Sequence, residues 1–318
     1  MFGIVTLFGT IPGSFVPPED QGYLFAAIIL PDGASIDRSQ ALTQAVAEIF
    51  ALHPAVEDYS ALTGYSLIDG QFKTNSGTVF IALKDFDQRQ DPGMSVNDVI
   101  AYAAPKMQAL QEGIAIPINP PSIPGLGTQG GFEFWLQNRG QGGAKRLEEV
   151  ARDLIAKANE RPEVTRLNTT LNAASRQLMS NVDRSKAETL GVSVPDVYAA
   201  LQTLFGSLYV SQYNKYGRVW QVILQAEPEF REKPEDIQNI FVRQREGEMV
   251  PLSSVVTSRF VTGPDLLPRF NGFMAAKITG DADTGYSSGQ SLATMEAVAE
   301  EILPEGFTYS WAGQSYEE

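Results

Sequence analysis

Apolar positions along the chain change period repeatedly, from the short runs and alternation of strands to the three-and-four spacing of helices. Residues 24–30 form an apolar run that stops at Pro31-Asp32-Gly33, the signature of a strand followed by a turn. From Ser35 the spacing becomes helical through Ile36, Leu42, Val46, Ile49 and Phe50, and Pro54 after His53 stops it. Residues 56–65 read as a strand, the Gly-, Ser- and Asn-rich stretch 64–77 as a loop, and residues 78–83 as a strand. Ser95 or Asn97 can cap a helix reaching about Gln111, and residues 114–118 give a last short strand. The order β-α-β-β-α-β is that of a split-βαβ, ferredoxin-like unit.

Residues 119–131, with Pro120, Pro121 and Pro124 among several glycines, mark the clearest boundary. A strand over 132–137 follows, then a helix carried by Leu147, Val150, Ala151, Leu154, Ile155 and Ala158, then Arg161-Pro162-Glu163-Val164 leading into a strand. This junction echoes Leu52-His53-Pro54-Ala55-Val56 and suggests a duplicated unit. Its second half comes much later: a strand over 275–278, a helix through Leu292, Met295, Val298, Ala299 and Ile302, a turn at 304–306 and a strand over 307–311. About 95 residues, 171–267, then form an insertion, which a surface turn tolerates because few buried contacts are disturbed. The insertion has a strand over 177–182 and a helix from a Ser193 cap through Phe205 with Pro195 in its first turn. Two hairpins follow, one turning at Asn214-Lys215-Tyr216-Gly217 and one at Gln244-Arg245-Glu246-Gly247. The fold class expected is α+β.

Composition narrows the chemistry. At 318 residues, 43% of them hydrophobic, the chain can fill more than one core. It has no cysteine, hence no disulfide framework and no thiolate metal site. A formal charge of −14 repels nucleic acid and anionic lipid and favours cationic partners, though it equally describes a solvated acidic surface. The apolar N-terminal run 1–11 falls short of the roughly 20 residues a membrane helix needs, and it lacks a basic region and a cleavage site. It reads either as a short buried element or as the last turns of a membrane helix.

Candidate catalytic groups are few. His53 is the one histidine, and its place before Pro54 at a helix end suits a packed or dipole-facing side chain more than a catalytic one. The adjacent acids Glu19 and Asp20 diverge in an extended segment and suit a turn or interface role. Gly125-Leu126-Gly127-Thr128-Gln129-Gly130-Gly131 precedes a strand rather than opening a helix, so it reads as a linker or wall loop and not a phosphate cradle. Residues 64–72 set Tyr65, Leu67 and Phe72 between glycines; these either finish a strand into the core or face an apolar cavity.

An ordered set of motifs carries a family resemblance: Phe15-Val16-Pro17-Pro18-Glu19-Asp20-Gln21-Gly22, Thr74-Asn75-Ser76-Gly77, Gly131-Phe132-Glu133-Phe134, Asp183-Arg184-Ser185-Lys186-Ala187, Leu190-Gly191-Val192, Gly217-Arg218, Met249-Val250-Pro251-Leu252 and Tyr316-Glu317-Glu318. Together they resemble the second large periplasmic loop of multidrug efflux pumps, in the hydrophobe/amphiphile branch of the resistance-nodulation-cell division (RND) transporters, over nearly the whole chain. The resemblance implies two ferredoxin-like porter subdomains, 14–124 and 125–170 with 268–318. It further implies a docking subdomain, 171–267, inserted into the second, and residues 1–13 as the tail of a preceding membrane helix.

It implies a binding role without bond chemistry and without a cofactor or metal, in a periplasmic loop of a bacterial inner-membrane protein. The partners implied are amphiphilic small molecules, a periplasmic adaptor and an outer-membrane channel, with a homotrimer in the full-length pump and proton coupling in membrane helices outside this chain. Residue by residue, Gly64, Gly70 and Asn75 lie in the stretch resembling the family's switch loop, with Tyr65 and Leu67 at its aromatic positions and Leu67 departing from the usual Phe. Leu62 and Phe80 match deep-pocket wall positions. Ala27 and Ile29 match the cleft-lining first strand. Ile116 and Ile118 stand where some members carry phenylalanine, and Asn168, near Arg166, where an arginine can stand. Gln244, Arg245, Glu246 and Gly247 resemble the tip facing the channel. Three other readings compete: a stand-alone soluble ligand-binding protein, an enzyme built on His53 with Asp58 and Lys84, and an exporter of a narrow lipid or solvent class.

Overall fold

A computed structural model describes residues 16, 19–123, 125–127 and 130–318; the run 1–11, discussed above as a possible helix tail, lies outside them. The chain forms two compact units, Met1–Ser175 with Pro264–Glu318, and Arg176–Gly263.

The first unit begins with β1 (Tyr23–Ile29), α1 (Ile36–Ala51), β2 (Val56–Ser66), β3 (Gln71–Leu83), α2 (Val96–Gln108) and β4 (Ile114–Ile118). Both helices start where a serine hydroxyl accepts from the first turn. Ser35 accepts from the Arg38 amide, and Ser95 makes a reciprocal capping box with Asp98, so Ser95 rather than Asn97 is the cap. The strands pair antiparallel in the order β2-β3-β1-β4, the ferredoxin-like arrangement expected. Leu24, Ala26 and Ile28 alternate toward the helices and bury against Val46, Phe50, Val99 and Met107.

One expectation changes. Residues 71–77 are not loop but the first half of β3, held in register by Ala27↔Thr78, Ile28↔Gly77 and Ile29↔Ser76. The Gly, Ser and Asn content that suggested a loop is overridden by pairing, to β2 at Gln71 and Phe72 and to β1 from Ser76 onward.

The same unit continues with β5 (Phe132–Asn138), α3 (Gly143–Ala158) and β6 (Val164–Thr169). Next comes the second unit: β7 (Ser175–Val182), α4 (Arg184–Thr189), α5 (Val194–Leu201), β8 (Leu208–Lys215), β9 (Arg218–Leu224), β10 (Phe241–Arg243), β11 (Met249–Pro251) and β12 (Val256–Gly263). The first unit resumes with β13 (Arg269–Phe270), β14 (Phe273–Ala282), α6 (Ser288–Ile302), β15 (Phe307–Ala312) and α7 (Gln314–Glu317). Its second sheet runs β13-β14-β5-β15, with β6 also on β14, so β6, β14, β5 and β15 repeat the order of the first sheet. The echoed prolines sit at equivalent corners, each between a helix and the strand that follows it. Phe134, Leu136 and Ile278 bury against Leu147, Leu154 and Met295.

In the second unit Asp183 caps α4 by accepting from the Lys186 amide, and Gly191, at φ +68°, terminates it with Val192 N–H bonded back to the Ala187 carbonyl. These contacts account for two of the sequence motifs as local structure. Ser193 precedes α5 without a side-chain cap bond, and the helix passes into a π-type turn over Gln202–Gly206. β8 and β9 pair with each other and are exposed along their whole length. No helix among the described residues is long and apolar enough to cross a membrane.

Candidate functional site

Each strand of the first sheet has a face turned away from α1 and α2. Register brings Leu62, Thr78, Ala27 and Ile116 into one row across it, and Ser60, Phe80, Phe25 and Ile118 into the next. Phe25 meets Phe80 edge-on at 5.3 Å between ring centroids, as the ring quadrupoles prefer. Ala27, Ile118 and Ile68 bury together, with Phe25, Ile29 and Ile116 packed around them.

Ile68 reaches this cluster because the β2–β3 hairpin is bent and fastened. The register shifts between Thr63 and Tyr65, and Gly64 takes φ +83° there. Beyond the bulge Tyr65 pairs with Phe72, their rings 5.4 Å apart. Thr78 Oγ1 donates to the Tyr65 carbonyl at 2.9 Å and accepts from the Leu67 amide at 3.3 Å. Ser66 donates to Asp69 at 3.0 Å, and the Lys73 ammonium lies 3.1 Å from Asp69 and 2.9 Å from Asp265. Burial pulls the Lys73 ammonium pKa down, but the two carboxylates outweigh it and raise it above the ordinary lysine value. Lys277 donates to the Ile68 carbonyl at 3.4 Å and sits 3.5 Å from Glu133.

Between the two sheets of this unit lies a cleft with a cavity volume of about 220 Å³. One wall is aliphatic, with Ile68, Ile100, Ile116, Pro117 and Ile118; the other is polar, with Asn119, Arg166, Asn168, Thr279 and Asp281. Arg166 takes the left-handed φ of +55° and lies 3.0 Å from Asp281. Burial pushes the Asp281 carboxyl up, with Arg166 opposing. Asn119 donates through Nδ2 to the Glu19 carbonyl at 3.3 Å, while its buried Oδ1 has no partner among the described residues. Gly131, at φ +89°, passes so close to Asp281 and Gly280 that a Cβ would overlap both.

Of the residues singled out from sequence, Ile116, Ile118 and Asn168 meet at this cleft. Ala27 and Ile29 join the apolar cluster that Ile68 and Ile118 also form. Phe80 lines a separate groove with Tyr23, Phe25 and Tyr59, and Leu62 is largely exposed in the next cross-strand row. Leu62, Tyr65 and Leu67 are not among the residues lining the cleft. Asn75 is on β3 rather than in a loop, and its amide donates to the Leu30 carbonyl at 3.0 Å. Gly70 closes the hairpin turn at φ +65°. Within the second unit, Gln244–Gly247 is the turn between β10 and β11, with the Arg245 amide bonded to the Gly191 carbonyl and Arg245, Glu246 and Gly247 exposed. Ile68, Thr279 and Asp281 were not anticipated, and Arg166 was noted only as a neighbour of Asn168. A lone hydrophobe at a hairpin tip and charges in separate strands carry no periodic signal.

His53 is buried, its Nδ1 accepting from the Ala55 amide at 3.2 Å and its ring edge-on to Tyr102 at 4.8 Å. No hydrogen bond or ion pair joins it to Asp58 or Lys84 among the described residues, so the three form no catalytic group there. Asp20, of the adjacent acid pair, is bound at both oxygens by Arg89, at 2.5 and 2.7 Å.

The fold is a duplicated ferredoxin-like unit with an α+β insertion, and comparison with known proteins shows the family. A family model described as the AcrB/AcrD/AcrF family matches residues 1–318, and the chain belongs to that family of RND efflux transporters. It is 36% identical over 319 residues to the multidrug export protein AcrF of Escherichia coli K12, covering 99% of this chain and 31% of that protein. It is 35% identical to the multidrug/solvent efflux pump membrane transporter MepB of Pseudomonas putida, and 32% identical to the multidrug resistance protein MdtF of Escherichia coli K12, covering 99% of this chain and 30% of each. The chain thus spans about three tenths of the length of the curated relatives it matches.

Proposed function

We propose that the chain is the periplasmic substrate-binding and docking part of a proton-driven multidrug efflux pump, and that it acts by binding rather than by bond chemistry. The cleft carries the reading: an aliphatic wall faces a small set of polar groups, the composition expected where varied amphiphiles are held weakly. Residues 14–124 and 125–170 with 268–318 act as porter subdomains, and residues 171–267 dock toward an outer-membrane channel through the exposed turn 244–247. A periplasmic adaptor and a homotrimer complete the assembly, which is anchored in the inner membrane by helices outside this chain. Tyr65, Leu67, Gly64 and Gly70 form the switch between the cleft and the Phe80 groove. Support comes from the fastening of this hairpin by side-chain contacts that a modest movement would break.

The test is dye accumulation by the full-length parent protein in an efflux-deficient host, with its adaptor and channel, with and without a protonophore. Lower accumulation that collapses on uncoupling is expected, and Ile116→Asp should restore accumulation at matched expression. Uptake unaffected by the pump for every amphiphile tried would refute the reading. A second reading, export of a narrow lipid or solvent class, is favoured by one observation: the cleft wall is isoleucine, which suits alkyl chains better than aromatic drugs.

A further inference from the structure

We propose that the N-terminal half of β3 is a clamp on both segments by which the chain leaves the first unit for the second and returns, so that the tip of the β2–β3 hairpin and these two segments loosen as one. The clamp goes beyond the switch assigned to the hairpin and needs no ligand in the cleft.

Alternate strand residues share a face, so Lys73 and Asn75 leave β3 on the same side. Lys73 takes the returning segment, between β12 and β13: its ammonium lies 2.9 Å from Asp265 there and 3.1 Å from Asp69 in the hairpin turn. Asn75 takes the outgoing segment, between β6 and β7, by way of Asp32. It donates to one Asp32 oxygen at 3.4 Å, and Asn172 donates to the other. The second half of the unit holds the same segments from its own side. Glu148 accepts from the Ala173 amide at 3.2 Å, the Ala275 amide donates to the Pro268 carbonyl at 3.0 Å, and Leu171 and Leu267 pack into the second core. Both halves therefore grip both segments, although the insertion belongs by topology to the second half alone. The grip of the first half is polar and breakable. The Asp265 side chain is 43% exposed, and ion pairs at such sites shift an equilibrium only a few-fold. One ammonium serves both Asp69 and Asp265, so freeing either carboxylate is felt at the other.

The test is hydrogen-exchange mass spectrometry of the whole chain, read in peptides covering 66–72, 170–175 and 264–270, with 132–138 in β5 as the reference. Lys73→Gln should raise exchange about threefold or more in all three and leave the reference unchanged. Lys73→Arg, which keeps the charge, should restore protection. Asp265→Asn should raise exchange in 66–72 as well as in 264–270, although the altered side chain is outside the hairpin. Its exposed position also keeps the test open if Lys73→Gln does not fold. Asp32→Ala should raise exchange in 170–175 and in 66–72. The double variant Lys73→Gln with Asp265→Asn should exchange no faster than Lys73→Gln alone, because both remove one bond. Effects confined to the segment that carries the substitution, or additive effects in the double variant, would overturn the clamp.

Discussion

Replacing Asp20 by Ala should be among the most damaging single changes in the first unit. The Asp20 carboxylate accepts two hydrogen bonds from Arg89, one from the Val96 amide at 2.8 Å and one from the Gly22 amide at 3.0 Å. It thereby ties the start of β1 to the first turn of α2. Arg89 is only 2% exposed at its side chain; its Nε donates to the Lys84 carbonyl and its guanidinium lies 4.2 Å from the Phe86 ring centroid. Asp20→Ala leaves that guanidinium buried without its counter-charge, which costs about 3–5 kcal/mol. For a unit of this size that is a fall in Tm of roughly 6–20 °C.

The pH dependence gives an independent sign. Burial pushes the Asp20 carboxyl up, but the hydrogen bonds from Arg89, Val96 and Gly22 outweigh it and hold its pKa below the ordinary aspartate value of 3.8. A depressed carboxyl stabilises fully above its unfolded pKa and loses that contribution as pH falls through the folded value. Calorimetry of the wild type should therefore show Tm falling faster below about pH 4 than in Asp20→Ala. Arg89→Met combined with Asp20→Ala should cost clearly less than the sum of the single changes, since it removes the orphaned charge. A loss under about 1 kcal/mol for Asp20→Ala, or strict additivity in the double variant, would show that the pair is not the tie described.

Thr43→Val should stabilise the first unit by about 1 kcal/mol in the same calorimetry, because the buried Thr43 hydroxyl has no partner among the described residues and valine has nearly its shape. Gly131→Ala should destabilise by at least about 1 kcal/mol, since its φ of +89° is strained for alanine and a Cβ would lie 2.2 Å from Asp281 Oδ1. Burial lowers the His53 pKa below the ordinary histidine value of 6.5, so the unfolded chain takes up the proton first and the folded chain loses stability as pH falls below that value. His53→Asn, which keeps an acceptor for the Ala55 amide, should flatten the fall in Tm between pH 7 and pH 5; an unchanged slope would remove His53 as its source.

What sequence could show follows from what is local. Ser95, one of the two cap candidates, Pro54 and Pro162 at matching corners, and the helical spacing from Ile36 to Phe50 all act within a few residues, and each is found where it was expected. β3 was half missed because its N-terminal part has the composition of a loop; its pairing to β1 and β2 comes from elsewhere in the chain. The cleft was legible on its aliphatic side, where Ile116 and Ile118 lie on a recognisable strand, and on its polar side only at Asn168, through the family resemblance. Asn119, Arg166 and Asp281 come from three separate segments, with Asp281 returned across the insertion by the pairing of β14 with β6, and no spacing rule links them.

The position of β5 between two strands that lie beyond the insertion imposes a timetable on synthesis. The first sheet can close as soon as β4 leaves the ribosome, from neighbours in sequence. β5 must wait, because its partners β14 and β15 emerge only after the whole of the second unit. For that interval β5, α3 and β6 hold an apolar face with Phe132, Phe134 and Leu136 and no sheet to cover it. Distant pairing of this kind is slow to form. The half-built second sheet is therefore where a translating chain is most open to chaperones and to misassembly, and the Asp281 side of the cleft forms only after the whole of the second unit has been made.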